Sequence, residues 1–291
     1  MNETRHGIDD LLTLMAVLRD PRDGCPWDIK QDWDSIVPHT LEEAYEVADA
    51  IERRAFDELP GELGDLLFQV IYYSQFGAEE RRFDFHDVVH ALTAKMLRRH
   101  PHVFPDGTLA SRRPPGVTAE EVETQQVHSR WEALKAAERA ERAAGDSPHS
   151  ALDDVPRTLP ALSRAAKLSK RAARVGFDWP DAHGVIDKIR EELDEVEQAL
   201  GAGDHAHAVE EVGDLLFAVT NLARRLKADP EQCLRGTNAK FERRFRFVER
   251  ALHEQGIRPQ DAGLAAMERY WQQAKHDEPS NPESPQGERR P

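Results

Sequence analysis

Apolar residues recur along most of this chain at the three- and four-residue spacing that is typical of amphipathic helices. No stretch shows the alternation expected of a strand, so the pattern predicts an all-α protein. In the first half we expect a helix that includes Leu11–Leu18, one capped by Thr40 and ending near Arg54, one starting at Pro60, and one over residues 84–99. Further helices are predicted near residues 119–144, 161–175, 183–200, 205–228, 230–255 and 263–276.

The order of predicted helices repeats, and a turn-rich segment separates the two halves. Residues 145–160 contain Asp-Ser-Pro, Asp-Asp-Val-Pro and Leu-Pro, which are typical of a linker. The sequence therefore predicts two tandem, duplicated antiparallel helical bundles over residues 1–144 and 161–276. Residues 277–291 contain four prolines and no apolar pattern, and we expect a disordered tail there.

One acidic motif occurs in both halves, and each position of the second copy lies 149 residues after the first. The motif is Glu-Glu-x-x-Glu-Val, followed after a gap by Glu-x-Gly-Asp-Leu-Leu-Phe. A repeat that keeps both its acids and their spacing indicates a duplicated acidic site. The candidate metal ligands are Glu43, Glu46, Glu62 and Asp65 in the first copy and Glu192, Glu195, Glu211 and Asp214 in the second.

The spacing of these acids favours metal binding over a solvated helix face. Residues three apart share a helix face, so each pair of acids can converge, and two short-linked antiparallel helices would bring four together. Clustered carboxylates repel one another unless a cation lies among them. Oxygen ligands without His or Cys favour Mg²⁺, with Mn²⁺ as a possible substitute. Gly64 and Gly213 precede the aspartates, which suggests a close helix approach or room for a ligand.

Basic and aromatic residues follow the acids in the same order in both halves. Lys-x-x-Arg-Arg begins at Lys95 and again 145 residues later, and Trp-x-x-x-Lys begins at Trp131 and again 140 residues later. Cations beside a metal cluster suit a polyphosphate, and the Trp could stack on a base or simply pack. The candidate substrate-binding residues are Lys95, Arg99, Trp131 and Lys135 in the first half and Lys240, Arg244, Trp271 and Lys275 in the second.

The bulk properties narrow the class of partner. A formal net charge of −15 argues against a protein that coats nucleic acid or binds anionic membranes. No apolar run reaches the roughly 20 residues of a membrane span, and the N-terminus lacks a signal-peptide pattern. Cys25 and Cys233 stand in unlike contexts, which favours free thiols in a reducing cytoplasm.

Together these motifs resemble the MazG family of tandem nucleoside triphosphate pyrophosphohydrolases. Asp-Gly-Cys-Pro-Trp-Asp, Arg-Arg-His-Pro-His-Val-Phe, Ser-Ala-Leu-Asp-Asp-Val-Pro and Val-Gly-Phe-Asp-Trp add to the likeness, which runs from about Ile8 to Lys275. The resemblance implies an all-α pyrophosphohydrolase fold, a homodimer, and Mg²⁺-dependent cleavage of nucleoside triphosphates to monophosphate and pyrophosphate. It also implies that the acids bind metal, that the Lys and Arg residues contact phosphates, and that Trp271 contacts the nucleotide.

The mechanism expected from these residues is attack of water at the α-phosphorus with pyrophosphate leaving. Glu195 or Glu192 would orient the water as the base, with Glu191 as a weaker candidate, and the sequence does not separate them. We expect the C-terminal site to be the better catalyst, because the basic helix continues beyond Arg244 whereas His100-Pro101 ends its N-terminal counterpart. The alternatives are a non-catalytic helical regulator that binds Mg²⁺-nucleotide, a structural scaffold, and a pyrophosphatase restricted to pyrimidine deoxynucleotides.

Overall fold

The computed structural model describes residues 5–113 and 150–277, and within these ranges the protein is helical with no strand. The all-α fold class is therefore confirmed. The predicted helix 119–144, Trp131 and Lys135 lie outside the described residues, as does the tail after Asp277. The helices are α1 (Ile8–Leu18), α2 (Trp33–Glu52), α3 (Leu59–Glu79), α4 (Phe85–Arg99), α5 (Ala161–Arg174), α6 (Ala182–Gly201), α7 (His205–Arg225), α8 (Pro230–Glu254) and α9 (Leu264–Asp277).

The chain divides into two compact units, Met1–Gly145 and Asp146–Pro291. In the first unit α2 and α3 pack as a helical hairpin, and α1 and α4 both contact α3. Aliphatic and aromatic side chains from α1, α2 and α3 form the core, which consists of Met15, Ile36, Ile71, Tyr72 and Phe76. Burial of this face fixes the rotation of α2 and α3 about their axes, and the opposite faces remain open.

Helix α2 begins two turns earlier than the sequence predicted, so the expected cap at Thr40 is wrong. Asp32 caps the helix instead: its carboxylate accepts a hydrogen bond of 2.9 Å from the Ser35 backbone N–H. The first turns of α2 bury Ile36 in the core. This burial stabilises a helix that continues past Pro38, although proline has no backbone N–H to donate to the helical hydrogen bonds. The Thr40 hydroxyl donates to the Ile36 carbonyl at 3.1 Å.

In the second unit α6 and α7 form the hairpin that corresponds to α2 and α3. Helix α5 packs against α7 and α8, and α9 packs against α8. Each of α6, α7 and α8 begins after an aspartate whose carboxylate accepts backbone hydrogen bonds from the first turn. The buried apolar residues here are mostly small, which allows the helices to approach closely: Val185, Ala199, Ala208, Ala218, Val248, Leu252 and Ala274.

An aspartate ties the segment before each hairpin to the hairpin's second helix. In the first unit Asp28 is buried and accepts a hydrogen bond from the Tyr72 hydroxyl on α3. In the second unit Asp178 accepts from Arg224 at 2.6 Å and from Arg225 at 3.2 Å, both on α7. Both units therefore anchor this segment through an aspartate, but with different donors.

One face of the second hairpin helix in each unit is apolar and exposed. On α3 this face carries Leu63, Leu67 and Val70, and on α7 it carries the residues 149 positions later. Spacings of four and three residues place each set along one stripe. The exposed residues on α7 are Val212, Leu216 and Val219.

Candidate metal and phosphate site

The acids of the first unit lie where α2 and α3 face each other. Glu43 and Glu46 project from α2, and Glu62 and Asp65 project from α3, about one and two turns into that helix. One carboxylate oxygen from each of Glu43, Glu62 and Asp65 lies within 4.8 Å of the other two. Glu46, which follows Glu43 by three residues on α2, is outside this group of three.

The acids of the second unit converge in the same way, with a different set of three. Carboxylate oxygens of Glu192, Glu195 and Glu211 all lie within 4.8 Å of one another. Glu192 is buried at 4% exposure, whereas Asp214 is exposed and lies outside the group. The structure thus brings three of the four predicted acids together at each site, and the one left out differs.

Crowding of the carboxylates changes their acidity. Partial burial raises the pKa of Glu43, and its hydrogen bond with Glu46 and the nearby charge of Asp65 raise it further. Partial burial also raises the pKa of Glu195, together with the charge of Glu211 and the hydrogen bond with Glu192. In both sites the negative charges are held closer than they would lie in free solution, which is the electrostatic condition that a bound cation relieves.

Two basic residues that sequence reasoning missed pair with the acids of the second unit. Lys188 Nζ lies 2.7 Å from both Glu191 Oε1 and Glu192 Oε1, and these hydrogen bonds raise the pKa of Lys188. His207 Nδ1 lies 3.3 Å from Glu211 Oε1. Each lies four residues before an acidic ligand on the same helix, and this spacing was the signal available in the sequence.

The first unit has different residues at these two positions. His39 stands 149 residues before Lys188, and its Nδ1 lies 3.7 Å from Glu42 Oε2. Glu58 stands 149 residues before His207 and pairs with Arg53 at 2.8 Å. The acids are therefore duplicated, but the residues at these two neighbouring positions are not.

The motif glycines leave open space beside the acids. A β-carbon built at Gly64 or Gly213 would meet nothing within 4 Å. A close helix approach is therefore not the reason for glycine at these positions. The other explanation given above, that glycine leaves room for a ligand beside each aspartate, remains a prediction.

The predicted basic residues lie on helices that pack against the second acidic helix of each unit. Helix α4, with Lys95 and Arg99, contacts α3, and α8, with Lys240 and Arg244, contacts α7. The Arg244 guanidinium carbon lies 5.8 Å from the centre of the Trp271 ring on α9. Arg244 and Trp271, two of the predicted substrate-binding residues of the second unit, therefore lie next to each other.

Trp271 lies in an aromatic group formed by α8 and α9. Its ring centre is 5.2 Å from that of Phe241, which stacks on Phe245 at 5.9 Å. Lys275 lies one turn further along α9 and is exposed. A flat ring beside a guanidinium and an exposed ammonium is a combination suited to a base with attached phosphates.

The donor set at both acidic groups fits a hard divalent cation. Each group offers three carboxylate oxygens, and neither contains a cysteine or histidine ligand. Ions of the Mg²⁺ type prefer oxygen ligands, whereas zinc and copper prefer nitrogen or sulfur. Glu43, Glu62 and Asp65 could hold such an ion in the first unit, and Glu192, Glu195 and Glu211 could do so in the second.

These helical hairpins and their carboxylate groups define an all-α protein with two acidic sites suited to a divalent cation. The model of the MazG nucleotide pyrophosphohydrolase domain matches the chain twice, at residues 31–104 and 182–248. Both matches contain a complete acidic motif. The chain belongs to this family, as its motifs indicated.

Curated relatives resemble the chain over almost its whole length. A nucleoside triphosphate pyrophosphohydrolase of Escherichia coli K12 is 51% identical over 93% of this chain and 98% of the relative. A nucleoside triphosphate pyrophosphohydrolase/pyrophosphatase MazG of Thermotoga maritima is 37% identical over 94% of this chain and 98% of the relative. The uncharacterized protein YabN of Bacillus subtilis is 40% identical over 94% of this chain but only 52% of its own length.

Proposed function

We propose that this protein hydrolyses nucleoside triphosphates to nucleoside monophosphate and pyrophosphate in a reaction that depends on Mg²⁺, with Mn²⁺ as a possible substitute. The observation that carries the proposal is the convergence of three carboxylate oxygens within 4.8 Å in each of two family domains. The names of the relatives from Escherichia coli and Thermotoga maritima support the same reaction.

In the second unit, Glu192, Glu195 and Glu211 would hold the metal, with Asp214 able to join through its exposed carboxylate. When bound, the ion lowers the pKa of a coordinated water and neutralises phosphate charge. Glu192 or Glu195 accepts a proton from the attacking water as its oxygen bonds to the α-phosphorus.

The bond from the α-phosphorus to the bridging oxygen then breaks, and pyrophosphate leaves with that oxygen. Lys240, Arg244 and Lys275 would meet the negative charge that develops on the leaving group. Trp271 would support the nucleoside, since its ring lies against Arg244. In the first unit the corresponding roles fall to Glu43, Glu46, Glu62 and Asp65 for the metal and to Lys95, Arg99, Trp131 and Lys135 for the substrate.

We further propose that the substrate range is broad and includes ribo- and deoxyribonucleotides, as in removal of non-canonical nucleotides. This fits a ring-and-cation site around Trp271 that offers stacking, which every base can accept. A site restricted to pyrimidine deoxynucleotides is the alternative within the same reaction. A non-catalytic regulator that binds Mg²⁺-nucleotide is the alternative outside it.

The two domains, which we place at residues 1–144 and 161–276 around a linker at 145–160, need not be equally active. In the second unit α8 extends for ten residues beyond Arg244, whereas α4 ends at Arg99. Residues along a continuous helix are held more firmly than residues at its end. We therefore propose that the C-terminal site is the better catalyst.

We also propose a homodimer and a cytoplasmic location. The exposed apolar stripe on α3 and its counterpart on α7 support an association that covers them, because such faces are normally buried. Cys25 and Cys233 are free thiols, which fits a reducing compartment. In the described part of the chain no helix is both long and apolar enough to span a membrane.

A panel of nucleotides tests the proposed reaction. ATP, GTP, dTTP, dUTP and oxidised purine triphosphates are incubated with the full chain and Mg²⁺, and both pyrophosphate and orthophosphate are measured. We expect pyrophosphate from most of the panel and none after EDTA. Release of orthophosphate would overturn the reaction, turnover of pyrimidine deoxynucleotides alone would favour the restricted enzyme, and binding without turnover would favour the regulator.

A further inference from the structure

Trp27 lies exposed on the segment that precedes the first hairpin, and the proposed reaction gives it no role. The residue is 53% exposed, although tryptophan is on average among the more buried residues of folded proteins. The next residue, Asp28, is buried and accepts a hydrogen bond from the Tyr72 hydroxyl on α3. The backbone beneath the exposed ring is therefore fixed to the core, so the ring is held in place while its surface stays open.

The neighbour of Trp27 connects it to the acidic site of the first unit. Its ring centre lies 6.1 Å from that of His39 at an interplanar angle of 68°, an edge-to-face contact. His39 in turn lies 3.7 Å from Glu42, whose charge contributes to the raised pKa of Glu43. The Trp27 ring thus packs against a residue that lies four positions before Glu43 on α2, and this spacing places both on one helix face.

The second unit gives independent support for this placement. The residue that corresponds to His39 is Lys188, and it contacts Glu192 directly at 2.7 Å. This position on the first hairpin helix therefore borders the acids in both units. Trp27 packs against a residue at the edge of the acidic site and not against a distant surface.

We propose that Trp27 stacks on the base of the nucleotide whose triphosphate is held at the N-terminal acidic site, an inference that rests on the proposed function. The indole ring has no charge with which to bind phosphate, but it offers the flat apolar surface that any nucleobase accepts. The edge contact from His39 sets the orientation of the ring. Trp27 is then a binding residue that influences which base the N-terminal site prefers.

The second unit also has an exposed ring directly before its anchoring aspartate, and this ring is smaller. Phe177 directly precedes the anchored Asp178, as Trp27 precedes Asp28, and it is 79% exposed. A phenyl ring offers less stacking area than an indole ring, so the base would contribute less to nucleotide binding in the second unit than in the first. Base preference is therefore one property in which the two halves should differ.

Binding measurements on the full chain test the role of Trp27. Glu192→Gln and Glu211→Gln are introduced first, so that only the N-terminal acids can bind. Isothermal titration calorimetry in Mg²⁺ then compares an α,β-imido analogue of ATP with inorganic tripolyphosphate, which has no base. We expect Trp27→Ala to weaken binding of the analogue at least about fivefold and to leave tripolyphosphate unchanged.

Two further variants in the same background sharpen the result. Trp27→Phe keeps a ring and should retain most of the affinity for the analogue. Phe177→Ala removes the exposed ring that precedes Asp178 in the other unit and should leave binding of both ligands at the N-terminal acids unchanged. Unchanged tripolyphosphate binding in Trp27→Ala also shows that the acidic site is still folded.

The other outcomes separate the two proposals. Equal weakening of both ligands by Trp27→Ala would give the residue a structural role and overturn the stacking inference. Unchanged binding of both ligands would overturn it as well, while leaving the proposed function intact. If the parent chain binds neither ligand, then the N-terminal metal and phosphate site fails, and the inference fails with it.

Discussion

The two acidic sites of this protein have the same carboxylates at the same spacing but different neighbours. In the second unit Lys188 and His207 pair with the acids, and Glu192 is buried. In the first unit His39 stands in place of the lysine and Glu58 in place of the histidine. Duplication has kept the groups that would bind the metal, while the charges that tune them have diverged.

This difference changes how the negative charge of the carboxylates is balanced when no cation is bound. Lys188 already balances part of the negative charge at Glu192, whereas the residue at the equivalent position of the first unit is His39, which lies beside Glu42. If the second site binds a cation as we propose, that cation would compete with the Lys188 ammonium group, which would then be free to contact phosphate. On this proposal the second site would accept a metal and an anion together.

The largest expected effect separates the two sites by activity. Glu192→Gln should lower the rate of pyrophosphate release by about 100-fold or more, because it removes a charged ligand from the better site. Glu43→Gln should lower it by less than about tenfold. The measurement is release of pyrophosphate from ATP under saturating Mg²⁺.

Glu197→Gln is the matched control, since Glu197 lies on the same helix, is exposed and is outside the acidic group. It should leave the rate unchanged. If Glu43→Gln alone abolishes turnover, the N-terminal site is the main catalyst and the comparison is reversed.

The second prediction compares the anchors of the two units. Burial raises the pKa of Asp178, but its hydrogen bond with Arg224 and the charges of Arg224 and Arg225 outweigh this and lower the pKa below 3.8. Asp178→Asn should lower the free energy of unfolding by about 2 kcal/mol at pH 7, because it removes charged hydrogen bonds. Asp28→Asn should cost only about 1 kcal/mol, since the amide oxygen still accepts from Tyr72.

The sign of the pH dependence follows from the lowered pKa of Asp178. Its stabilisation is complete above the unfolded value of 3.8 and is lost as the pH falls through the lower folded value. Urea denaturation should therefore show the same cost of Asp178→Asn at pH 7 and pH 5, and a smaller cost near pH 3. Asp187→Asn, which breaks an exposed pair with Arg190, should cost at most about 0.5 kcal/mol. A cost that grows on acidification would contradict the ion pairs at Asp178.

The smallest expected effect tests the lysine of the second site. Lys188→Met should lower the free energy of unfolding of the metal-free chain by about 1 kcal/mol, because the buried carboxylate of Glu192 loses its partner. Saturating Mg²⁺ should reduce this cost, since the ion supplies the missing charge. Thermal denaturation with EDTA and with Mg²⁺ measures both values.

Lys167→Met provides the control for Lys188→Met, because Lys167 is exposed on α5. It should change neither melting temperature. An equal cost of Lys188→Met with and without Mg²⁺ would mean that the ion does not take over the role of the lysine.

Much of the architecture was predictable because it depends on local pattern. The positions of α3 to α9 followed from apolar spacing, from Pro60 in the first turn of α3 and from Pro101 after α4. The start of α2 was not predictable in this way. Thr40 and Glu43 form a plausible capping pair, but burial of Ile36 and the cap at Asp32 extend the helix by two more turns.

The composition of each acidic group shows the same limit. The motif placed Glu46 with Glu43 and Asp214 with Glu211, since residues three apart share a helix face. Whether both members reach the shared space depends on the rotation of the helix and on the side-chain conformation. These differ between the units, so Glu46 falls outside one group and Asp214 outside the other.

The sequence by itself determined the duplication, the helical class, the family and the acids at a constant offset of 149 residues. These follow from residue identity and short-range spacing, which are present in the chain before it folds. The tertiary structure was needed to establish which three carboxylates converge, that Lys188 and His207 pair with acids of the second unit, and that Trp27 packs against His39. The reason is physical: such contacts depend on how buried faces rotate the helices against one another, and the spacing along one helix does not contain that information.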